Sequence, residues 1–209
     1  MLHMEVEHLW KQKIGELAGR ETICILTPME QPLGKCVGNT LEVIEAIEFL
    51  NGNMCEDVKE VVLELGSNMI KLAGKGDNLE ENKQKMLEVV QNKKALGKFK
   101  QLVKQQGGDE TYIEHPEKFE KARYIEKVIA KKDGKIESLK AEEIGKLSVF
   151  LGAGRIRKED KIDNSVGIVF EKKAGKAVKQ GDIIAYIHAN DEKKAKQAVE
   201  KLEEVSIIK

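Results

Sequence analysis

The stretch Leu26–Glu45, LTPMEQPLGKCVGNTLEVIE, decides the reading of this chain. Pro32-Leu33-Gly34 specifies a turn, because proline fixes φ and glycine accepts backbone shapes closed to other residues. Gly38-Asn39 then leads into a helical pattern, with Leu41, Val43, Ile44 and Ile47 apolar and Glu42, Glu45 and Glu48 between them. Upstream, Glu21–Leu26 is rich in β-branched and apolar residues and predicts a short buried strand, with Cys24 as a small buried thiol. Strand, kinked loop and helix in succession form the unit from which α/β sites are commonly built.

Outward from this unit the first half reads as helix. Val6–Ala18 is predicted helical, with Gly19 as its C-terminal stop. Glu42–Leu50 ends at Asn51-Gly52. Glu56–Leu72 places Val58, Val61, Val62, Leu65, Met69 and Leu72 on one face. Asn78 and Glu81 predict a capped start for the next helix, to Val90. Lys94–Gln106 turns Leu96, Phe99, Leu102 and Val103 inward and stops at Gly107-Gly108.

The pattern changes after Gly108. Asp109–Pro116 reads as a connection, and Tyr124–Ala130 alternates as a strand should. Asp133-Gly134 predicts a hairpin turn to the strand Lys135–Leu139. Ala141–Leu151 is predicted helical, Ser165–Glu171 and Asp182–Ala189 strands, Asp191–Glu203 a polar surface helix, and Val205–Ile208 a last strand. The fold class is therefore α/β followed by a small α+β domain, divided as residues 1–110 and 111–209.

Composition excludes several functions. Thirty-six basic and thirty-six acidic residues cancel, which leaves no electrostatic case for nucleic acid or a membrane surface. The apolar run Ile183–Ile187 is far too short to span a bilayer. Met1–Trp10 carries Glu5 and Glu7 and lacks an extended apolar core, unlike a signal peptide. A cytoplasmic protein is expected. Cys24, Cys36 and Cys55 form no CxxC pair, and His3, His8, His115 and His188 are scattered, so neither zinc nor a nucleophile–base pair is indicated. Arg155, Arg157, Lys158 and Lys161 have Glu159, Asp160 and Asp163 among them, and local ion pairing is expected. The V-x-x-G-D turn within Lys173–Asp182 resembles half of a biotinyl or lipoyl carrier hairpin, without the M-K-M or D-K-A context that modification needs.

Three motifs carry a more specific resemblance. QPLG-x-x-x-GN-x-LEV-x-EA, beginning at Gln31, is similar to the segment that follows the nucleoside site in pyrimidine-nucleoside and thymidine phosphorylases. Gln105-Gln106-Gly107-Gly108-Asp109 resembles the family's A-Q-G-G-D element. Leu151-Gly152-Ala153-Gly154-Arg155, with Lys158, Ile162-Asp163 and Val166-Gly167, resembles the LGAGR signature of its C-terminal domain. All three occur in family order, and together they cover the second half of the family's sequence. The resemblance implies the helix-rich remainder of the phosphorylase α/β domain followed by a small, hammerhead-like α+β domain.

It also implies an activity: reversible phosphorolysis of uridine, thymidine or deoxyuridine to free base and pentose 1-phosphate, with phosphate as co-substrate. The family's glycine-rich phosphate loop, K-H-S-T-G-G-V-G-D, does not occur in this sequence. The serine and lysine that hold the base do not occur either, and neither a G-x-G-x-x-G nor a P-loop pattern replaces them. No catalytic residue is therefore assigned, and the chain alone is expected to be inactive. The expected alternatives are one half of a split phosphorylase and a non-catalytic interaction fragment. The family is homodimeric, so a homo-oligomer or a complex with the other half is expected. Bacterial members hold potassium beside the phosphate loop. By resemblance its ligands here are the carbonyls of Leu33 and Cys36 and the carboxylate of Glu45. Pro28, where many relatives have aspartate, departs from the pattern.

Overall fold

A computed structural model describes the backbone of residues 2–209 and the side chains of residues 10–206, 208 and 209. Helix α1, Leu2–Leu17, leads into an extended segment and the short strand β1, Cys36–Val37. Four helices follow: α2 (Asn39–Leu50), α3 (Glu56–Leu72), α4 (Leu79–Gln91) and α5 (Lys94–Gln105). A single helical turn, α6 (Thr111–Glu114), and a 3-10 turn at Pro116–Lys118 connect to the second half. There β2 (Tyr124–Ile129), β3 (Gly134–Leu139), α7 (Ala141–Leu151), β4 (Gly167–Phe170), β5 (Ala177–Val178), β6 (Ile183–Ala189), α8 (Glu192–Val205) and β7 (Ser206–Ile208) form two small sheets with helices packed on them. The mixed α/β and α+β class expected from the sequence is the class observed.

The larger sheet has the order β1-β4-β6-β2 and the smaller β5-β3-β7, and every pairing is antiparallel. The core lies between these sheets, α7 and α8. Val128, Ile136, Leu139, Ile144, Ile168, Phe170, Ile187 and Leu202 are fully enclosed there. Each such side chain contributes on the order of 1.5–3 kcal/mol relative to exposure. The expected polar surface helix is α8, and it does more than cover the surface. Ala195, Ala198 and Leu202, at helical spacing, form a buried stripe that two small residues keep close to the sheet.

Two expected elements are overturned. Glu21–Leu26 does not form a strand: the segment joins neither sheet, Leu26 is 59% exposed, and Cys24 lies at the surface. A strand exists only as part of a ladder, so β-branched composition without a partner leaves extended chain. The expected hairpin at Asp133-Gly134 is not formed either. β2 pairs with β6 over the register Tyr124↔Ala189 to Ile129↔Ile183, and β3 pairs with β5 and β7. Asp133-Gly134 thus passes the chain from one sheet to the other. Gly134 lacks positive φ, and a Cβ there would meet the Lys209 carbonyl oxygen at 2.5 Å, so its glycine serves close strand approach.

Helix α3 buries polar residues and leaves much of its apolar face exposed. It covers Ser67 and Asn68 against α4, while Val62, Leu65, Met69 and Leu72 stay at the surface. Most of the polar groups buried there are bonded, the Asn82 side-chain oxygen being the exception. The Asn82 side-chain amide of α4 donates to the carbonyls of Ser67 (3.2 Å) and Gly76 (2.8 Å), and that of Asn68 donates to Glu64 O (2.8 Å). Helix α4 starts as the sequence predicts, with Asn78 Oδ1 accepting the N–H groups of Glu80 and Glu81.

Candidate cation loop and the joint behind it

The two most specific motifs, far apart in sequence, meet in one joint. Gly38, at φ 145°, passes so close to the second motif that a Cβ would stand 2.5 Å from Val166 O. From the other side a Cβ on Gly167 would stand 2.3 Å from Val37 O. Glycine on both faces lets the backbones pack directly, and three hydrogen bonds close the contact. The Asn39 amide donates to Ala153 O (2.9 Å), Thr40 N–H to Asn164 O (3.1 Å), and Phe170 N–H to Lys35 O (2.8 Å). The LGAGR element presents that Ala153 carbonyl because Gly152, at φ 119°, ends α7 and turns the chain. Asp163 braces the far side, accepting from Ser165 Oγ (2.7 Å) and from the Asn190 amide (2.7 Å). Burial alone would raise its carboxyl, but the bonds from Asn190 and Ser165 outweigh that and hold it below its ordinary range.

In front of the joint lies the Gln31–Cys36 loop. The Glu45 carboxylate, in the second turn of α2, accepts the N–H groups of Lys35 (2.7 Å) and Cys36 (3.2 Å). Gly34, at φ 74°, passes beneath it, and a Cβ there would lie 2.6 Å from Glu45 Oε2. The ladder bond from Phe170 uses the carbonyl of Lys35. In an antiparallel pair the next residue's N–H and C=O both point to the opposite edge. The Cys36 carbonyl therefore opens on the edge where its N–H meets Glu45. Leu33 is 53% exposed, and among the described residues its carbonyl accepts no hydrogen bond.

The structure thus brings all three expected residues, Leu33, Cys36 and Glu45, to one loop. Its oxygens suit a hard monovalent cation: two carbonyls are unspent, and each carboxylate oxygen keeps a lone pair after accepting one N–H. Burial, then the neighbouring carboxylates of Glu45, Glu48 and Glu42, push the Cys36 thiol up to about 12, so its sulfur stays protonated and offers no thiolate. Among the described residues no three His, Cys, Asp or Glu side chains converge as a transition-metal centre would require.

Sequence reasoning missed the groups beneath the loop. Lys173, from the β4–β5 connection, sends its ammonium to Pro32 O, Gly34 O and Asp57 Oδ2, the last at 2.8 Å. Asp57, in the first turn of α3, also accepts from Gly34 N–H (3.2 Å), the Cys55 thiol (2.9 Å) and Val58 N–H (2.9 Å). Burial opposes its ionisation, yet the bonds from Cys55, Lys173 and Val58 hold its carboxyl down to about 2. No local pattern signals this contact, because its partners lie on three separate segments.

The other sequence candidates fall elsewhere. Asp109 closes a turn by accepting Thr111 N–H (2.9 Å), and Gly107, at φ 79°, ends α5, so the Q-G-G-D element shapes the exit from the helices. His188 is half-buried on β6, and burial lowers its pKa. The expected ion pairing around Arg155, Arg157, Lys158 and Lys161 is not seen among the described residues. These side chains are exposed, and Asp160 instead accepts the N–H groups of Ile156 and Arg157. A short loop with peptide N–H groups in reach satisfies a carboxylate better than long, freely moving cations do.

Comparison with known proteins gives this arrangement a class. Residues 4–96 match the glycosyl transferase family a/b domain, and residues 135–209 match the pyrimidine nucleoside phosphorylase C-terminal domain. Pyrimidine-nucleoside phosphorylases of Staphylococcus aureus strains USA300 and NCTC 8325 are each 47% identical over 178 residues, covering 85% of this chain and 41% of the relative. The chain belongs to the pyrimidine-nucleoside phosphorylase family, and it spans less than half the length of the curated relatives it matches.

Proposed function

We propose that this polypeptide is the cation-loop and C-terminal part of a pyrimidine-nucleoside phosphorylase. It would act on uridine, thymidine or deoxyuridine together with elements that carry the phosphate and the base. In this reading residues 1–110 complete the α/β domain and residues 111–209 form the C-terminal domain. The observation that carries it is the joint, where the two motifs shared with the family meet behind a loop of oxygen ligands.

In phosphorolysis a phosphate oxygen bonds to the sugar C1 as the glycosidic C–N bond breaks. The electron pair leaves with the base, which takes up a proton, and the pentose leaves as its 1-phosphate. The barrier falls when the anion is held in line and the developing charge is met by fixed groups. Potassium, when bound, supplies positive charge next to the phosphate. Leu33 O, Cys36 O and the Glu45 carboxylate would hold it, and the joint fixes those oxygens against the C-terminal domain. No residue of this chain is assigned a bond-making role.

Association is part of the same reading. Val62, Leu65, Met69 and Leu72 on α3, and Trp10, Ile14 and Leu17 on α1, leave apolar stripes at the surface. Contiguous patches of this kind mark interaction sites. Their proposed occupants are the remaining α/β elements or a second copy of this chain. Among the described residues no helix is long and apolar enough to cross a membrane, and a cytoplasmic location is proposed. The test is release of free base from uridine or thymidine by the purified chain, followed chromatographically with and without phosphate. None is expected from this chain alone, and phosphate-dependent release would overturn the assignment of the phosphate-binding groups to other elements.

A further inference from the structure

We propose that Lys173 is a tethered cation that assembles the Gln31–Cys36 loop, seated in an oxygen receptor built for an ammonium group. This rests on geometry in the same loop as the proposed function but needs no turnover. A lysine ammonium has three N–H donors and no acceptor. Here the three meet three oxygens from two segments, Pro32 O and Gly34 O of the loop and Asp57 Oδ2 of α3. The Lys173 side chain is 14% exposed, so the contact is set largely apart from water. Two of the oxygens flank Leu33, so the ammonium fixes the peptide units on either side of that carbonyl.

The surroundings fit a receptor more closely than an incidental ion pair. Asp57 supplies the compensating charge and also takes the Gly34 N–H (3.2 Å), so one carboxylate ties the cation to the loop backbone. The neighbouring Ala174 N–H donates to the Gln31 side-chain carbonyl (3.2 Å), which anchors the start of the loop to the same connection. A planar guanidinium would direct its N–H groups in a fork and could not point three donors at three converging oxygens. The C-terminal region therefore reaches the loop twice, through β4 behind it and through Lys173 beneath it. Position 173 is accordingly a positioning residue for Leu33, Cys36 and Glu45, with no contact to reacting atoms.

The test is chemical rescue followed by amide hydrogen exchange in the whole chain. Lys173→Ala should speed exchange at Gly34, Lys35 and Cys36 at least tenfold while the β4–β6 amides stay protected. Ammonium or methylammonium chloride should restore much of that protection. Tetramethylammonium chloride at equal ionic strength, which has no N–H, should not, and Lys173→Arg should resemble the alanine variant. Unchanged exchange in Lys173→Ala, or equal recovery with tetramethylammonium, overturns the proposal. A second readout needs no variant: amine acetylation of the native chain, read by mass spectrometry, should modify Lys173 at least tenfold more slowly than exposed Lys176. Equal rates overturn it even if Lys173→Ala fails to fold. Because neither readout involves nucleoside, failure here leaves the phosphorylase reading standing, and the reverse also holds.

Discussion

Replacing Gly38 by alanine tests the joint where its geometry is most demanding. At φ 145° and ψ 148° the backbone occupies a region essentially reserved for glycine, at a cost of about 1–3 kcal/mol for other residues. The new Cβ would also stand 2.5 Å from Val166 O and 3.0 Å from the Gly167 Cα, both backbone atoms that cannot swing aside. The chain's other response is to open the joint, which forfeits the bonds from Asn39, Thr40 and Phe170 at about 1 kcal/mol each. Either route predicts a loss of about 2–4 kcal/mol. With an m-value of about 2 kcal/mol per molar urea, the midpoint should fall by about 1–2 M. Gly52→Ala is the control: its φ of 94° is strained, but no atom lies within 4 Å of the added Cβ, so about 1 kcal/mol is expected. Urea unfolding followed by circular dichroism gives both numbers. A Gly38→Ala loss no larger than that of Gly52→Ala would refute the close approach.

Three further outcomes are expected. The Asp57 carboxyl is held at about 2 against an ordinary 3.8, and a depressed pKa stabilises the fold above the unfolded value and loses that contribution as pH falls toward the folded one. The shift corresponds to about 2 kcal/mol, discounted to about 1 because the side chain is one-third exposed. The stability gap between the native chain and Asp57→Asn should therefore narrow between pH 4 and pH 2, and a constant gap in urea titrations would contradict it. Sedimentation should show association of the native chain at micromolar concentrations, relieved by Leu65→Lys with Met69→Glu; a native monomer would count against the α3 face as a contact. Asn82→Ala should cost about 1–2 kcal/mol in the same unfolding assay, since it strands the Gly76 carbonyl and removes a second bond from the Ser67 carbonyl, which keeps its helical partner, whereas no loss would show that α3 and α4 pack without that amide.

What the sequence made legible follows from range. Helices α3 to α5 and α7 announce themselves through local periodicity, the Asn78 cap and the Gly107 and Gly152 stops, all of which act within a few residues. Pairing does not. The Asp133-Gly134 turn has hairpin composition, but β2 pairs with β6 along its whole length while β3 pairs with β5 and β7, and only the assembled sheets decide between these partners. Glu21–Leu26 has strand composition and no ladder. Periodicity located the apolar stripe of α3 but could not say that Asn82 would draw the polar stripe inward. At the candidate loop, Leu33, Cys36 and Glu45 are named through motif resemblance alone, and their role as ligands is a proposal. Lys173 and Asp57, separated by more than a hundred residues, carry no local signature. The facing glycines Gly38 and Gly167 were visible as motif letters, and the structure shows that each stands where the other's backbone passes.

The most direct test of the account is the potassium requirement of Glu45→Gln. The chain, wild type or variant, is combined or fused with a polypeptide carrying the glycine-rich phosphate loop and the base-holding residues, and uracil release from uridine is measured as potassium is titrated. Exchanging the carboxylate for an amide keeps one acceptor oxygen, enough for the shorter bond from Lys35 N–H, gives up the one that accepts from Cys36 N–H, and removes the charge facing the cation. Phosphate-dependent release by the wild-type combination is expected, with a several-fold higher potassium requirement for Glu45→Gln at similar maximal rate. An identical potassium dependence in the two would remove Glu45, and with it the Leu33–Cys36 loop, from the site.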